Sequence, residues 1–206
     1  VMICKKHKFI FIHIPKCAGT SIEMCFKNNN IIDKYFKQDV MVHHDDISTD
    51  MANSFFTFAV KRNPWERFVS IWKYWTGFTP KNYPPRTKAL GLEFIQISLK
   101  NFAKSLDKAR ANIKQNWPEQ GCHFKEMVEL NGLPDYVNVD FWIEFANLQE
   151  DFDTVCDKIG IPRQQIPHTN KSKHKHYTKY YDDETRAIVA ERHARDIEYF
   201  GYEFGE

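Results

Sequence analysis

The sequence lacks the features that mark a membrane-spanning or disulfide-stabilised protein. No apolar run approaches the roughly 20 residues that a transmembrane helix needs, and the N-terminus does not show the charged, apolar and small-residue order of a signal peptide. The five cysteines are odd in number and include no C-x-x-C pair, so neither a disulfide framework nor a zinc site is indicated. We therefore expect a soluble protein of the cytoplasm or another reducing compartment.

The sequence also lacks a strong excess of charge, internal repeats and low-complexity tracts. Its 29 basic and 27 acidic residues leave a net charge of only +2, so the overall balance does not predict a nucleic-acid partner. Any anion site must come from local clustering. A length of 206 residues with 42% hydrophobic residues is within the range of one globular domain. We predict a single domain over residues 1–206.

Short apolar runs alternate with helical patterns along the chain. Residues 8–14 predict a buried strand, and a helix follows from Thr20. Residues 55–60 predict a second strand, after which Pro64 suits the first turn of a helix. Residues 136–145 predict a third strand, followed by a helix that ends near Gly160. This alternation indicates an α/β fold with a central parallel sheet flanked by helices, which binds ligands beyond the carboxyl ends of its strands.

A further helix is predicted at the C-terminal end of the sequence. Asp182 and Asp183 can cap it. The residues expected to face the core are Ala187, Ala190, Ala194 and Ile197.

The turn after the first strand carries the residues of an anion site. A turn that enters a helix presents backbone N–H groups and the positive end of the helix dipole. Ala18 and Gly19 are small enough for an anion to approach the backbone, while Lys16 adds a charge. Thr20 and Ser21 add hydroxyl donors. This turn by itself is equally compatible with a simple helix cap.

A second turn of similar chemistry follows the next strand. Lys61 and Arg62 precede another helix start, and Ser70 lies two turns further on. Two such turns at one sheet edge favour a phosphate or sulfate ligand. A nucleotide kinase is disfavoured, because the G-x-x-x-x-G-K-[ST] motif is absent. A cysteine phosphatase is also disfavoured, because the position that needs arginine, six residues after Cys17, holds Glu23.

Several motifs, in order along nearly the whole chain, resemble small sulfotransferases related to the carbohydrate sulfotransferases of the Golgi, which use 3′-phosphoadenosine 5′-phosphosulfate (PAPS). They are "HIPKCAGTS", "VKRNPWERFVS", "VDFWIEFANLQEDFDTVCDKIGI", "PHTNKSKHKHY" and "DIEYFGYEF". The resemblance implies a sulfotransferase fold with a phosphate-loop-like first turn and a reaction from PAPS to a hydroxyl, most readily one on a carbohydrate, with 3′-phosphoadenosine 5′-phosphate (PAP) as product. A Golgi location would then require an N-terminal anchor that has been removed.

The resemblance also implies roles for individual residues. Lys16 would contact the transferring sulfuryl group and the bridging oxygen, and residues Cys17, Ala18, Gly19, Thr20 and Ser21 would contact the 5′-phosphate. Arg62 and Ser70 would contact the 3′-phosphate. No carboxylate cluster indicates a metal, and we expect none, because a sulfuryl group carries less charge than a phosphoryl group.

Three histidines are candidates for the base that deprotonates the acceptor hydroxyl. His13 lies three residues from Lys16, and His43 and His44 lie before the second strand. In related heparan sulfate enzymes a histidine at the place of His13 is thought to serve in some, and one from the segment resembling His43-His44 in others. Both alternatives remain open at this point.

Two segments of the sequence allow more than one interpretation of the function. The basic loop that includes Lys171 and Lys173 is either a solvated face or a lid over the nucleotide and an anionic acceptor. Where the family often reads Arg-Phe-Glu-Asn-Leu, this chain has Glu144 and Ala146 at the first and third positions. That departure supports an alternative function, a non-catalytic module of the same fold that binds PAP, PAPS or a sulfated glycan. The sequence does not indicate the oligomeric state.

Overall fold

The computed structural model describes residues 1–29, 31, 47–76, 98–107, 123–129, 138–167 and 175–206. The chain forms two compact units, each built from two segments. The first unit comprises Val1–Arg62 and Asn131–Ser172, and the second comprises Asn63–Leu130 and Lys173–Glu206. The prediction of a single domain over residues 1–206 stays a prediction.

The first unit contains a sheet of four strands in the order β1-β2-β3-β4. The strands are β1 (Met2–Cys4), β2 (Phe9–Ile12), β3 (Phe56–Lys61) and β4 (Phe141–Glu144). Strands β2, β3 and β4 run parallel, as the alternating pattern predicts, and β1 pairs antiparallel with β2. The α/β fold with a central parallel sheet is therefore confirmed. The sequence does not predict β1, because a strand of three residues is too short to give a clear pattern.

Seven α-helices occur in the described part of the chain. In chain order they are α1 (Gly19–Asn28), α2 (Thr49–Ser54), α3 (Pro64–Thr76), α4 (Leu99–Lys104), α5 (Leu148–Lys158), α6 (Asp183–Arg192) and α7 (Ala194–Phe200). A 3-10 turn over Phe145–Asn147 joins β4 to α5. Helices α1, α2 and α5 belong to the first unit, and the other four belong to the second.

Phenylalanine rings hold α1 and α5 against the sheet of the first unit. Phe26 of α1 lies 5.0 Å from Phe9 of β2 and 5.4 Å from Phe152 of α5, measured between ring centroids. Phe11 stacks on Phe58 of β3 at 5.1 Å. All five rings are fully buried, and each burial is worth about 2 kcal/mol of transfer free energy. This packing fixes the start of α1 relative to the end of β2, where the first predicted anion turn lies.

In the second unit, α3 buries Trp65, Phe68 and Val69, which lie at helical spacing and are all at most 5% exposed. The prediction for the C-terminal helix was wrong in part. The chain forms two helices that meet at His193. Ala187 and Ala194 are exposed, and Ala190 and Ile197 are half-buried.

The buried face of α6 and α7 is instead polar in large part. It comprises Thr185, Val189, His193 and Asp196. The carboxylate of Asp196 accepts hydrogen bonds from the backbone N–H groups of Met127, at 2.8 Å, and Val128, at 2.9 Å. Because these bonds satisfy the buried carboxylate, a charged residue occupies a core position that an apolar pattern cannot predict.

Candidate functional site

The turn between β2 and α1 has an unusual backbone. Lys16 has φ +68° and Ala18 has φ +59°, both in the left-handed region, and the intervening Cys17 does not. The N–H of Cys17 donates to the carbonyl of Ile14 at 3.3 Å, which closes the turn. Left-handed residues other than glycine cost about 1 kcal/mol each and concentrate at functional sites. Alternation of this kind points successive N–H groups to one side, where an anion can bind.

The start of α1 adds to the anion-binding character of this turn. Ala18 is the N-cap residue, and its side chain forms no capping hydrogen bond. The methyl side chain of alanine cannot accept from the N–H groups of the first helical turn, as the side chain of a serine or aspartate would. Thr20 is exposed at the same end, and Ser21 is buried. The positive end of the helix dipole therefore lies beside Lys16 with no acidic residue in the first turn.

The imidazole of His13 lies directly against Gly19. A Cβ atom built on Gly19 would be 2.6 Å from both Cδ2 and Nε2 of His13 and 2.8 Å from Cε1. Such distances are well inside van der Waals contact, so a larger residue at position 19 would displace the ring. Glycine at position 19 thus allows Nε2 of His13 to lie over the first residue of α1.

The other ring nitrogen of His13 contacts Glu23. Nδ1 of His13 lies 2.6 Å from Oε1 of Glu23, and both side chains are about 70% buried, with exposures of 30% and 27%. Burial by itself raises the pKa of Glu23, but the hydrogen bond and positive charge of His13, with the charge of Lys27, reverse this and hold the pKa below its usual value. In the sequence, Glu23 indicates only that the chain is not a cysteine phosphatase. The signal for this contact is its spacing, because Glu23 lies four residues after Gly19 and so on the same face of α1.

Arg62 joins the two turns at the carboxyl edge of the sheet. It is only 6% exposed, its Nη1 donates to the carbonyl of Lys16 at 2.9 Å, and its guanidinium lies 3.9 Å from the ring centre of Phe145. The two turns that the sequence places at one edge therefore meet, and the contact is at the residue with the positive φ. Phe145, which follows β4, was not predicted as part of this site.

The ammonium group of Lys16 is partly buried and lies near the positive charge of Arg62. Burial lowers its pKa below the usual 10.5, Arg62 lowers it further, and Cys17 opposes the change. Two cations held close together in a half-buried turn repel each other, and an anion between them would relieve that repulsion. The turn thus has the charge, the N–H donors and the backbone geometry of a site for phosphate or sulfate esters.

A family model supplies the context for this geometry. The model of the sulfotransferase family matches residues 1–203, which is nearly the whole chain. The protein belongs to the sulfotransferase family. Membership confirms the family resemblance drawn from its motifs and implies an enzyme that transfers a sulfuryl group. A protein of Archaeoglobus fulgidus described as uncharacterized is 27% identical over 134 residues, or 65% of this chain and 91% of that protein. No solved structure matches the chain significantly.

In this sulfotransferase, the departure at Glu144 has a local partner. Lys61 and Glu144 are paired across β3 and β4, and Nζ of Lys61 lies 3.3 Å from Oε2 of Glu144. Both side chains are about three-quarters buried. A positive residue of the family pattern at position 144 would instead lie beside Lys61 and near Arg62. The acidic residue at 144 therefore matches the basic residue at 61.

The other predicted site residues lie in the second unit or outside the described residues. Ser70 is half-buried on α3 of the second unit, and its role toward the 3′-phosphate stays a prediction. His43, His44, Lys171 and Lys173 lie outside the described residues. Within the described part of the chain, no group of three or more potential ligands could hold a metal ion. Over the same residues, no helix has the length and apolar character needed to cross a bilayer.

Proposed function

We propose that this sulfotransferase transfers the sulfuryl group of PAPS to a hydroxyl group, and that the acceptor is a carbohydrate. The proposal rests above all on one observation: at the start of α1, Lys16 lies in a left-handed turn that Arg62 contacts, and Nε2 of His13 lies over Gly19 in the same turn. This arrangement combines a cationic anion site with a candidate proton acceptor. Fold and family alone would support an anion site without assigning a base.

The residues of the two turns fit the charged groups of PAPS. Backbone N–H groups over residues 18–20 and the hydroxyls of Thr20 and Ser21 would hold the 5′-phosphate, while the N–H of Cys17 stays bonded to Ile14. The family resemblance assigns Arg62 and, separately, Ser70 to the 3′-phosphate. Lys16 would neutralise charge that develops on the bridging oxygen, which is the main requirement of an in-line transfer. When bound, PAPS supplies the sulfuryl group. Lys171 and Lys173, which the sequence predicts as part of either a solvated face or a lid over the nucleotide, stay candidates for contacts with its phosphates.

His13 is the proposed base. Its Nε2 would accept the proton of the acceptor hydroxyl while the acceptor oxygen forms its bond to sulfur and the bond from sulfur to the phosphate oxygen breaks, leaving PAP with the electron pair. Lys16 stabilises the charge on that leaving oxygen. His43 and His44 are the alternatives. The contact of His13 with the start of α1 favours His13 among the three.

Titration with PAP tests the nucleotide part of the proposal. We expect saturable binding that equal concentrations of ATP do not reverse. Lys16→Ala should weaken binding at least tenfold, because it removes the cation from the anion turn. Lys6→Ala is the matched control, since Lys6 is exposed in the turn before β2, at the other end of that strand. Absence of PAP binding, or equal competition by ATP, would contradict the proposal.

A screen with ³⁵S-labelled PAPS tests transfer and the acceptor. We expect label on glycan hydroxyls such as those of heparan or chondroitin chains, and not on phenol or steroid hydroxyls. His13→Ala should reduce kcat about 10²- to 10⁴-fold, whereas His44→Ala should retain activity if His13 is the base. PAP binding without transfer to any acceptor would favour a non-catalytic module instead.

A further inference from the structure

The geometry points to Glu23 as the residue that positions the base His13. This inference rests on the proposed function of His13, and no motif or comparison assigns a role to Glu23. Its physical basis is a close contact between two half-buried side chains that the fold brings together from the end of β2 and the first turns of α1. The contact is 2.6 Å long and joins Nδ1 of His13 to Oε1 of Glu23.

The contact determines which ring nitrogen carries the proton. A carboxylate accepts hydrogen bonds but does not donate them, so the hydrogen in this bond belongs to Nδ1 of His13. In the neutral imidazole the proton on Nδ1 leaves Nε2 with a lone pair. Nε2 is the nitrogen that lies over Gly19, at the start of α1. Glu23 therefore directs the basic nitrogen toward the proposed anion turn.

The same contact supports the charged form of the base. When Nε2 accepts a proton, the imidazolium retains its Nδ1–H bond to the carboxylate, and the two opposite charges attract across 2.6 Å. Burial raises the pKa of this carboxyl, but His13, with smaller effects from Lys27 and the amino group of Val1, holds it below its usual value, so Glu23 is ionised near neutral pH. No proton passes to Glu23. Its role is to orient the ring and to stabilise its positive charge.

Gly19 and Glu23 act together on the ring. The missing side chain at Gly19 leaves room for one edge of the imidazole, and another edge is held by the carboxylate one helical turn later. The ring can therefore keep its Nδ1 bond to Glu23 while it lies at the start of α1. A plain surface ion pair would need no such close approach to a glycine, so the arrangement favours a positioning role over a purely stabilising one.

The test uses Glu23→Gln in the full chain, with Glu150→Gln as the matched control. Glutamine keeps the size and a hydrogen-bond acceptor but removes the charge. Glu150 is exposed in the first turn of α5, in the same unit. The first readout is nuclear magnetic resonance of ¹⁵N-labelled histidine, with the His13 signals assigned through His13→Gln. The second is kcat and KM, measured against pH, with the acceptor identified by the labelled-PAPS screen.

We expect the neutral imidazole of wild-type His13 to carry its proton on Nδ1. In Glu23→Gln the preference for Nδ1 should weaken, because the glutamine amide can donate to Nδ1 as well as accept from it. The kcat should fall about 10- to 100-fold, because the orientation and the positive charge of the ring are then less well supported. The dissociation constant for PAP and the KM for the acceptor should change less than about twofold, because the nucleotide contacts are retained. Glu150→Gln should match the wild type in each measurement.

A neutral wild-type imidazole with its proton on Nε2 would overturn the inference, and this measurement needs no variant. An unchanged preference for Nδ1 together with an unchanged kcat in Glu23→Gln would overturn it as well. An equal loss of kcat and PAP affinity would also contradict positioning, since that result indicates general damage to the turn. Failure of the wild type to bind PAP refutes the proposed function, whatever the state of His13, so the two failures are distinguishable.

Discussion

Replacement of Gly19 by alanine tests whether the close approach of His13 to the start of α1 matters. The new Cβ would lie 2.6 Å from two ring atoms, whereas carbon atoms in contact prefer about 3.5 Å, so the imidazole must move by about 1 Å. A movement of that size stretches the 2.6 Å contact with Glu23 beyond hydrogen-bonding distance. Gly19 has no positive φ in the structure, so the backbone itself accepts alanine without strain.

The free energies of the two effects have opposite signs. Loss of a charge-assisted hydrogen bond lowers the free energy of unfolding by about 1.5 to 3 kcal/mol, and the greater helix propensity of alanine raises it by up to about 1 kcal/mol. We therefore expect Gly19→Ala to destabilise the protein by about 1 to 2 kcal/mol. In a His13→Ala background no ring is displaced, so the same change should be neutral or stabilising by up to about 1 kcal/mol.

Urea denaturation of the four proteins of this double-mutant cycle measures the interaction. We expect a coupling of about 2 kcal/mol between the two positions, since they are in contact. The kcat of Gly19→Ala should fall about 10²-fold, because displacement of a catalytic group by 1 Å has an effect of that order. Additive free energies in the cycle, together with wild-type kcat, would show that the ring does not depend on glycine at position 19.

Three further predictions concern charged groups around the same edge and in the second unit. Arg62→Lys should lower the free energy of unfolding by about 2 kcal/mol, because lysine cannot reproduce both the hydrogen bond to the Lys16 carbonyl and the contact with the Phe145 ring. An unchanged midpoint in urea titration would contradict this. Glu144→Arg should destabilise by about 1 kcal/mol, and adding Lys61→Glu should restore stability if the pair acts through charge. Burial lowers the pKa of His193, so the folded state binds fewer protons than the unfolded state. The free energy of unfolding should therefore decrease as the pH falls below about 6.5, the usual pKa of histidine. In urea titrations from pH 5 to 7, His193→Gln should remove this dependence.

The sequence predicts the sheet and the anion turns because their signals are local. Apolar runs of β-branched and aromatic residues indicate β2 and β3, and the order of small and hydroxyl residues after Ile14 indicates an anion turn. The resemblance in the motifs adds the family. These predictions depend on neighbouring residues only, which is the range over which a single sequence is informative.

The contacts within the site are tertiary, so the pattern of neighbouring residues in the sequence does not predict them. His13 and Glu23 are ten residues apart, and their contact requires both the packing of α1 on β2 and the absence of a side chain at Gly19. The left-handed conformations of Lys16 and Ala18 were equally hidden, since neither residue type favours positive φ. Burial of Asp196 was missed because its acceptance of two backbone N–H groups is a tertiary feature.

The charges at the carboxyl edge of the first unit include two pairs within the described part of the chain. Glu144 contacts Lys61, and Glu23 contacts His13. Arg62 donates to the carbonyl of Lys16 and lies against the ring of Phe145. The carboxylate of Glu144 lies 3.3 Å from Nζ of Lys61 on the adjacent strand. An acidic substitution in the family pattern is thus compatible with an anion site, because the carboxylate it introduces is balanced by Lys61 on the adjacent strand.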